Sequence, residues 1–263
     1  MASPPRDYQP VWRFLSTLYA LVREPMRIFV FALLTALAIR SFLFEPFTIP
    51  STSMVPSLLV GDYIFVSKYA YGYSRYSLPF SPPLFSGRIG QDATPERGDV
   101  IVFRNPKQQD KDYVKRLIGL PGDFVQMKKG LLYINDQPIQ RHYIGEVHGS
   151  DYVGLHYDVY HHYEETMPNA VSYKTLERNN RSAFDDTARI KVPEDHYFFM
   201  GDNRDDSSDS RDIVHVGFVH KKYLIGRLDM VFFSRIPRTQ EEPFNLWRWL
   251  TAYRQERFFM SPR

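Results

Sequence analysis

Two patterns of apolar and polar residues divide the chain. The first is one continuous apolar run, Ile28-Phe-Val-Phe-Ala-Leu-Leu-Thr-Ala-Leu-Ala-Ile39, followed by Arg40 and then Ser-Phe-Leu-Phe44. Twelve residues are too few for a hydrocarbon core of about 30 Å, which takes about 20 in helix. Counting on to Phe47 supplies the length if Arg40 and Glu45 sit near the far interface, where a long cationic side chain can snorkel. Residues 28–47 are therefore expected to form a single transmembrane anchor behind an N-terminal segment, 1–27. Two other readings stay open. Ala36-Leu-Ala38 has the A-x-A form of a signal-peptide cleavage site, though apolar sequence continues past it, and the run would also suit a buried core helix. Trp12–Val22 is at best amphipathic and too short for a second span.

After Pro50 the pattern becomes short apolar runs between turn residues. Strands are expected over Tyr63–Ser67, Asp99–Arg104, Tyr113–Ile118, Phe124–Met127, Leu131–Ile134, Tyr197–Met200 and Leu224–Phe233, with a hairpin at Asn135-Asp136. Such punctuation points to a mainly β protein with an antiparallel, barrel-like core. That core is expected over 48–139 and 193–237. Residues 72–97, rich in Ser, Pro, Gly and Tyr, read as a long loop within it. Residues 140–192, polar and aromatic, read as a smaller inserted subdomain. Residues 238–263 form a basic, aromatic C-terminal segment, in which Phe244–Phe259 reads equally as an interfacial helix or as one packed on the body.

Composition narrows the chemistry. The 263 residues contain no Cys, which removes thiol nucleophiles, disulfides and Cys-based metal sites. A mean hydropathy of −0.38 excludes a polytopic membrane protein. The net charge of +3 sits at the ends of the chain. Residues 1–40 carry five Arg against Asp7 and Glu24, and residues 238–263 carry five Arg against three Glu, so the middle is slightly acidic. A nucleic-acid binder would show a basic body, whereas basic ends suit an anionic lipid surface. The arginines preceding the apolar run place the N-terminus in the cytoplasm and the body outside it.

Candidate chemistry is sparse. His156, His161 and His162, with Asp158, Glu164 and Glu165, lack metal-ligand spacing and read as a polar surface. Gly201-Asp-Asn-Arg-Asp-Asp-Ser-Ser-Asp-Ser-Arg211 lacks the Gly and terminal Glu of a Ca²⁺ loop and reads as a structural loop that pins other residues. Ile49-Pro-Ser-Thr-Ser-Met-Val-Pro-Ser-Leu58 holds serines in a Pro-stiffened segment just beyond the anchor; taken alone, this is a turn. A serine nucleophile needs a base. Lys115 lies in the apolar frame Tyr113-Val-Lys-Arg-Leu-Ile118, where it reads either as a desolvated, neutral amine or as a snorkelling strand-edge lysine.

These pieces, in this order, resemble bacterial type I signal peptidases (leader peptidases), membrane-anchored serine proteases with a Ser-Lys dyad. The matching blocks are Arg40–Phe47 running into Ile49–Met54, Arg97–Phe103, Tyr113–Asp123, and Gly201–Arg204 through Ser207, Asp209 and Arg211. The resemblance implies Ser53 as nucleophile and Lys115 as general base. It implies an oxyanion hole made by the Ser53 N–H and the Ser51 hydroxyl, with Ser207, Asp209 and Arg211 supporting the lysine. Phe47, Ile49, Met54, Leu58, Ile64, Val102, Tyr113 and Val114 would line pockets for Ala-like side chains of an A-x-A site. It further implies no cofactor and no metal, preprotein signal peptides and phospholipid as partners, a monomer, and a place in the bacterial cytoplasmic membrane with the catalytic domain on its outer side. A peptidase dedicated to one substrate and a non-enzymatic envelope scaffold are the competing readings.

Overall fold

The computed structural model describes residues 9–90, 93–155, 159–178, 182–237 and 251–262. It opens with one helix, α1 (Gln9–Phe42), of which Ser16–Phe42 is long and apolar enough to cross a membrane. None of that stretch is buried against the body. The helix starts well before the expected anchor, because Trp12–Val22 continues it rather than preceding it. It also ends earlier, at Phe42. Pro46 lacks a backbone N–H and disfavours helix at Glu45, so Phe44–Thr48 goes into the sheet as β1 instead of completing residues 28–47 as a span.

The body is a curled antiparallel half-barrel. Its main sheet has seven strands in the order β1, β2 (Asp62–Ser67), β16 (Leu224–Ser234), β5 (Val100–Arg104), β6 (Asp112–Gly119), β14 (His196–Met200) and β15 (Val219–His220). Alternation sends Ile64, Val66, Val102 and Val231 into one apolar cluster, and Ile101, Phe103, Leu117 and Phe199 into another on the opposite face. A second sheet comprises β7 (Phe124–Lys128), β8 (Leu131–Ile134), β9 (Gln137–Pro138) and β13 (Ile190–Lys191). The hairpin between β8 and β9 turns at Asn135 and Asp136, both at positive φ (53° and 65°), as the sequence predicts. All seven strands expected from the sequence are present.

The loop 72–97 is not featureless: β3 (Tyr73–Ser74) pairs with β4 (Arg88–Ile89) at its base. The insertion is a three-stranded sheet, β10 (Gln140–His148), β11 (Val159–Thr166) and β12 (Ser172–Glu177). Its last residues rejoin the core, since Thr187 bonds both ways with Met127 and β13 pairs with β7. The reading of Glu164 and Glu165 as surface polarity fails at Glu165, which is fully buried. His156 and Asp158 lie outside the described residues. Among the described residues no three potential ligands converge on one point.

Phe244–Phe259 lies partly outside the described residues, Trp247 and Trp249 included. Its described end is a strap with one 3-10 turn, Gln255–Arg257. Arg235 bridges to Tyr253 and Val231 to Met260, and buried Arg257 pairs with Asp62 at 2.6 Å. The strap packs against β16 and β2, held by a buried ion pair and by the stacking of Tyr253 and Phe258 on Phe233.

Candidate active site

Ser53 sits in the tight segment between β1 and β2, and the segment is held from both sides. Ile49 donates its N–H to Asp62 O and Gly61 donates to Ile49 O, which closes the base. Met54, Val55 and Leu58 are buried beneath it. From the far side Asn203 donates its N–H to Ser53 O (3.1 Å) and its Nδ2–H to Thr52 O (3.2 Å). Gly201 passes so close that a Cβ there would lie 2.5 Å from Ser53 O and 2.2 Å from Ser207 Oγ. No side chain fits at that crossing.

Lys115 approaches from β6. Its Nζ is 2.7 Å from Ser53 Oγ and 3.1 Å from Val114 O. Both residues of the pair are buried, and Ser51 Oγ is 3.3 Å from Ser53 Oγ. Burial lowers the Lys115 pKa to about 8, while the charges of Asp209 and Asp202 pull the other way. Neither carboxylate is free to clamp the ammonium. Asp209 accepts from Arg211 Nε (2.9 Å), Arg211 Nη2 (2.8 Å) and Gly201 N (3.0 Å). Burial pushes the Asp209 carboxyl up, but the Arg211 guanidinium and these N–H donors outweigh it and leave the group below the ordinary range. Asp202 is bound to Arg116 by two bonds of 2.8 and 2.7 Å.

Of the residues expected to support the lysine, Asp209 and Arg211 thus act as a neutralised pair behind it. Ser207 is buried with its Oγ lacking a hydrogen-bond partner, and it makes no bond to Lys115. A cleft of about 510 Å³ opens over the pair. Of the eight pocket residues the resemblance implies, Phe47, Ile49, Met54, Val102, Tyr113 and Val114 line it. Leu58 and Ile64 do not: both are completely buried in the cluster beneath, because each faces the core from its element.

Sequence reasoning missed several residues that build the site. Lys111, Asp112, Asp206 and Ser208 also border the cleft. The insertion grips the 201–211 loop at several points, Arg178 N–H to Asp205 Oδ2 (2.7 Å) among them. Leu176 N–H donates to Asp202 O, Tyr160 OH donates to Asp206 Oδ2, and buried Glu165 pairs with buried Arg204. Tyr160 and Leu176 pack with Val55 and Leu59 from the Ser53 segment. A chemist's choice of Asn203 from sequence was available only through the density of Asp, Asn and Ser around it.

The sequence profile described as signal peptidase, peptidase S26, matches residues 22–233. A signal peptidase I of Rickettsia typhi is 43% identical over 223 residues, covering 81% of each chain. Another, from Rickettsia massiliae, is 44% identical over 216 residues, covering 78% of this chain and 77% of the relative. A crystal structure of a signal peptidase I from Enterococcus faecalis V583 is 29% identical and superposes with a TM-score of 0.30, covering 51% of this chain and 97% of that one.

Proposed function

The chain belongs to the signal peptidase family, peptidase S26, and from that membership we propose that it is a membrane-bound serine endopeptidase that removes signal peptides from exported preproteins with a Ser53–Lys115 dyad. The observation that carries the proposal is the 2.7 Å separation of Lys115 Nζ and Ser53 Oγ in a buried setting. In its neutral form the Lys115 amine accepts the Ser53 Oγ proton as the oxygen attacks the scissile carbonyl carbon. The Ser53 N–H and the Ser51 hydroxyl donate to the developing oxyanion, a contribution of about 3–4 kcal/mol per donor. Collapse breaks the C–N bond, and Lys115 delivers its proton to the leaving amine. Lys115 then takes a proton from water as it attacks the acyl-Ser53 ester, and collapse breaks the bond to Ser53 Oγ, which takes that proton back from Lys115 as the signal peptide leaves with a new carboxylate.

Specificity follows from strand geometry. In an extended peptide, the first and third residues before the scissile bond face the same way. Both would meet the apolar wall of Phe47, Ile49, Met54, Val102, Tyr113 and Val114, while Lys111, Asp112 and Asp206 stand at the cleft's border. Small apolar residues at these two positions form the A-x-A signature. The α1 span anchors the cleft at the membrane surface, and the arginines ahead of Ile28 assign the N-terminus to the cytoplasm and the cleft to the outer side of a bacterial cytoplasmic membrane.

Incubating the purified full chain with preproteins carrying A-x-A sites and sequencing the products tests the proposal. Cleavage after the second Ala is expected, with loss of cleavage when that Ala becomes Leu. Products cut elsewhere, or no products from any preprotein, would overturn it.

A further inference from the structure

The cleft continues past Phe47. A second cavity, of about 410 Å³, shares Phe47 and Asp112 with the first and lies on its membrane side. One wall is α1, through Leu37 and Arg40; the other is the loop Leu78–Ser81. Leu37 lies five residues inside the end of the span, about 7.5 Å along the helix axis, so the cavity reaches back beside apolar helix. β3, which precedes the loop, is fastened to the end of α1, because Tyr73 OH donates to Phe42 O (2.6 Å) and the two rings meet edge to face.

Two features suit this cavity to an apolar guest. Its charged groups are already paired: Arg40 with Glu45 (3.0 Å), Glu45 also with buried Lys68 (2.7 Å), and Arg104 with Asp112 (2.6 Å). At its mouth stands Phe80, with its side chain fully exposed (102%). Phe80 holds φ at +62°, where Asn or Gly would sit at lower cost than a bulky residue. An exposed ring kept at a backbone cost beside a cavity is available for contact with something outside the folded chain.

We propose that this second cavity binds the apolar stretch of the signal peptide just upstream of the residues at Ser53, entering sideways from the bilayer between α1 and the 78–81 loop, with the Phe80 ring closing over it. The proposal rests on the signal-peptidase reading above. The direction agrees with the chain: β1 runs from the membrane end at Phe44 towards Ser53, and the second cavity lies at the membrane end of that path.

The test compares two substrates of the full-length enzyme. One is a preprotein with its apolar stretch intact, presented in phospholipid vesicles; the other is a short soluble peptide covering only the residues around the scissile bond. For Phe80→Ala and Phe80→Asn, KM for the preprotein should rise about tenfold with kcat kept, the loss expected for one aromatic contact. The preprotein-to-peptide ratio of kcat/KM should fall accordingly, and Phe80→Asn should melt no lower than the parent. An unchanged ratio overturns the proposal. So does an equal loss on both substrates, or weakened vesicle binding of the substrate-free enzyme that accounts for the whole effect, since Phe80 would then touch lipid rather than peptide. If the parent enzyme cuts neither substrate, the peptidase reading falls and this subsite falls with it, an outcome distinct from all the others.

Discussion

Lys115 and Arg116 are adjacent on β6 and buried to nearly the same degree; burial pushes both pKa values down, yet only Arg116 has a carboxylate that reverses the shift. Arg116 faces Asp202 and keeps its charge in a two-point ion pair. Lys115 faces a hydroxyl and a carbonyl, and Asp209, whose charge acts on it, is occupied by Arg211, so burial can lower its pKa to about 8. In the proposed mechanism the base is the neutral amine, so the rate should rise with pH and level off above about 8. Removing Arg211 would leave Asp209 uncompensated behind Lys115 and favour the ammonium. A pH–rate profile of Arg211→Met is therefore expected to have its midpoint displaced to higher pH, and an unmoved midpoint would contradict this account of the lysine. Gly201→Ala should lose most of its activity, because its Cβ cannot fit between Ser53 O and Ser207 without moving the nucleophile segment. The expected stability cost is about 1–3 kcal/mol, read from the melting temperature. Ser53 and Lys115 were paired in the sequence only through the family resemblance, because alone the Ser-rich segment reads as a turn and Lys115 reads equally well as a snorkelling strand-edge lysine. Asn203 was not legible even so, since its bonds to Thr52 and Ser53 span about 150 positions and its neighbours read equally well as turn formers.

At the scale of elements, the insertion is part of the site's scaffold. Leu176, Tyr160 and Glu165 hold the loop that holds Ser53, so damage to β11 or β12 should reach the dyad. Leu176 is wholly buried, and Leu176→Ala should cost about 2–5 kcal/mol, measured by denaturant unfolding, with a fall in kcat exceeding that in a substitution at exposed Ile144. The strands of the catalytic core could be read from alternating apolar residues. Those of the insertion could not, because several of its inward positions are polar: Glu165, Thr175 and Glu177 are buried, with Glu165 paired to Arg204 and Glu177 to Arg141. Ion pairing replaces the hydrophobic period, and the signal disappears. β1 was hidden for another reason: its Phe-Glu-Pro-Phe-Thr reads as the tail of the apolar run, and only the pairing of Phe44–Thr48 with Tyr63–Ser67 gives it to the sheet.

For the whole molecule, one helix and one half-barrel set the geometry. α1 at 34 residues is about 51 Å long, well over the roughly 30 Å of a hydrocarbon core, so its Arg-bearing first turns extend beyond the bilayer. Protease added to the outside of spheroplasts should degrade the body and leave a tag fused before Met1 intact; the reverse pattern would invert the orientation. In the proposed function the anchor would hold the cleft where a membrane-held peptide emerges, and the Ser53–Lys115 pair would give that cleft its chemistry. The most direct measurement of that chemistry is preprotein processing by full-length Ser53→Ala and Lys115→Ala, with melting curves alongside. Both variants should melt within a few degrees of the parent and cut nothing above background, whereas parent-like processing by a folded Ser53→Ala protein would contradict the dyad.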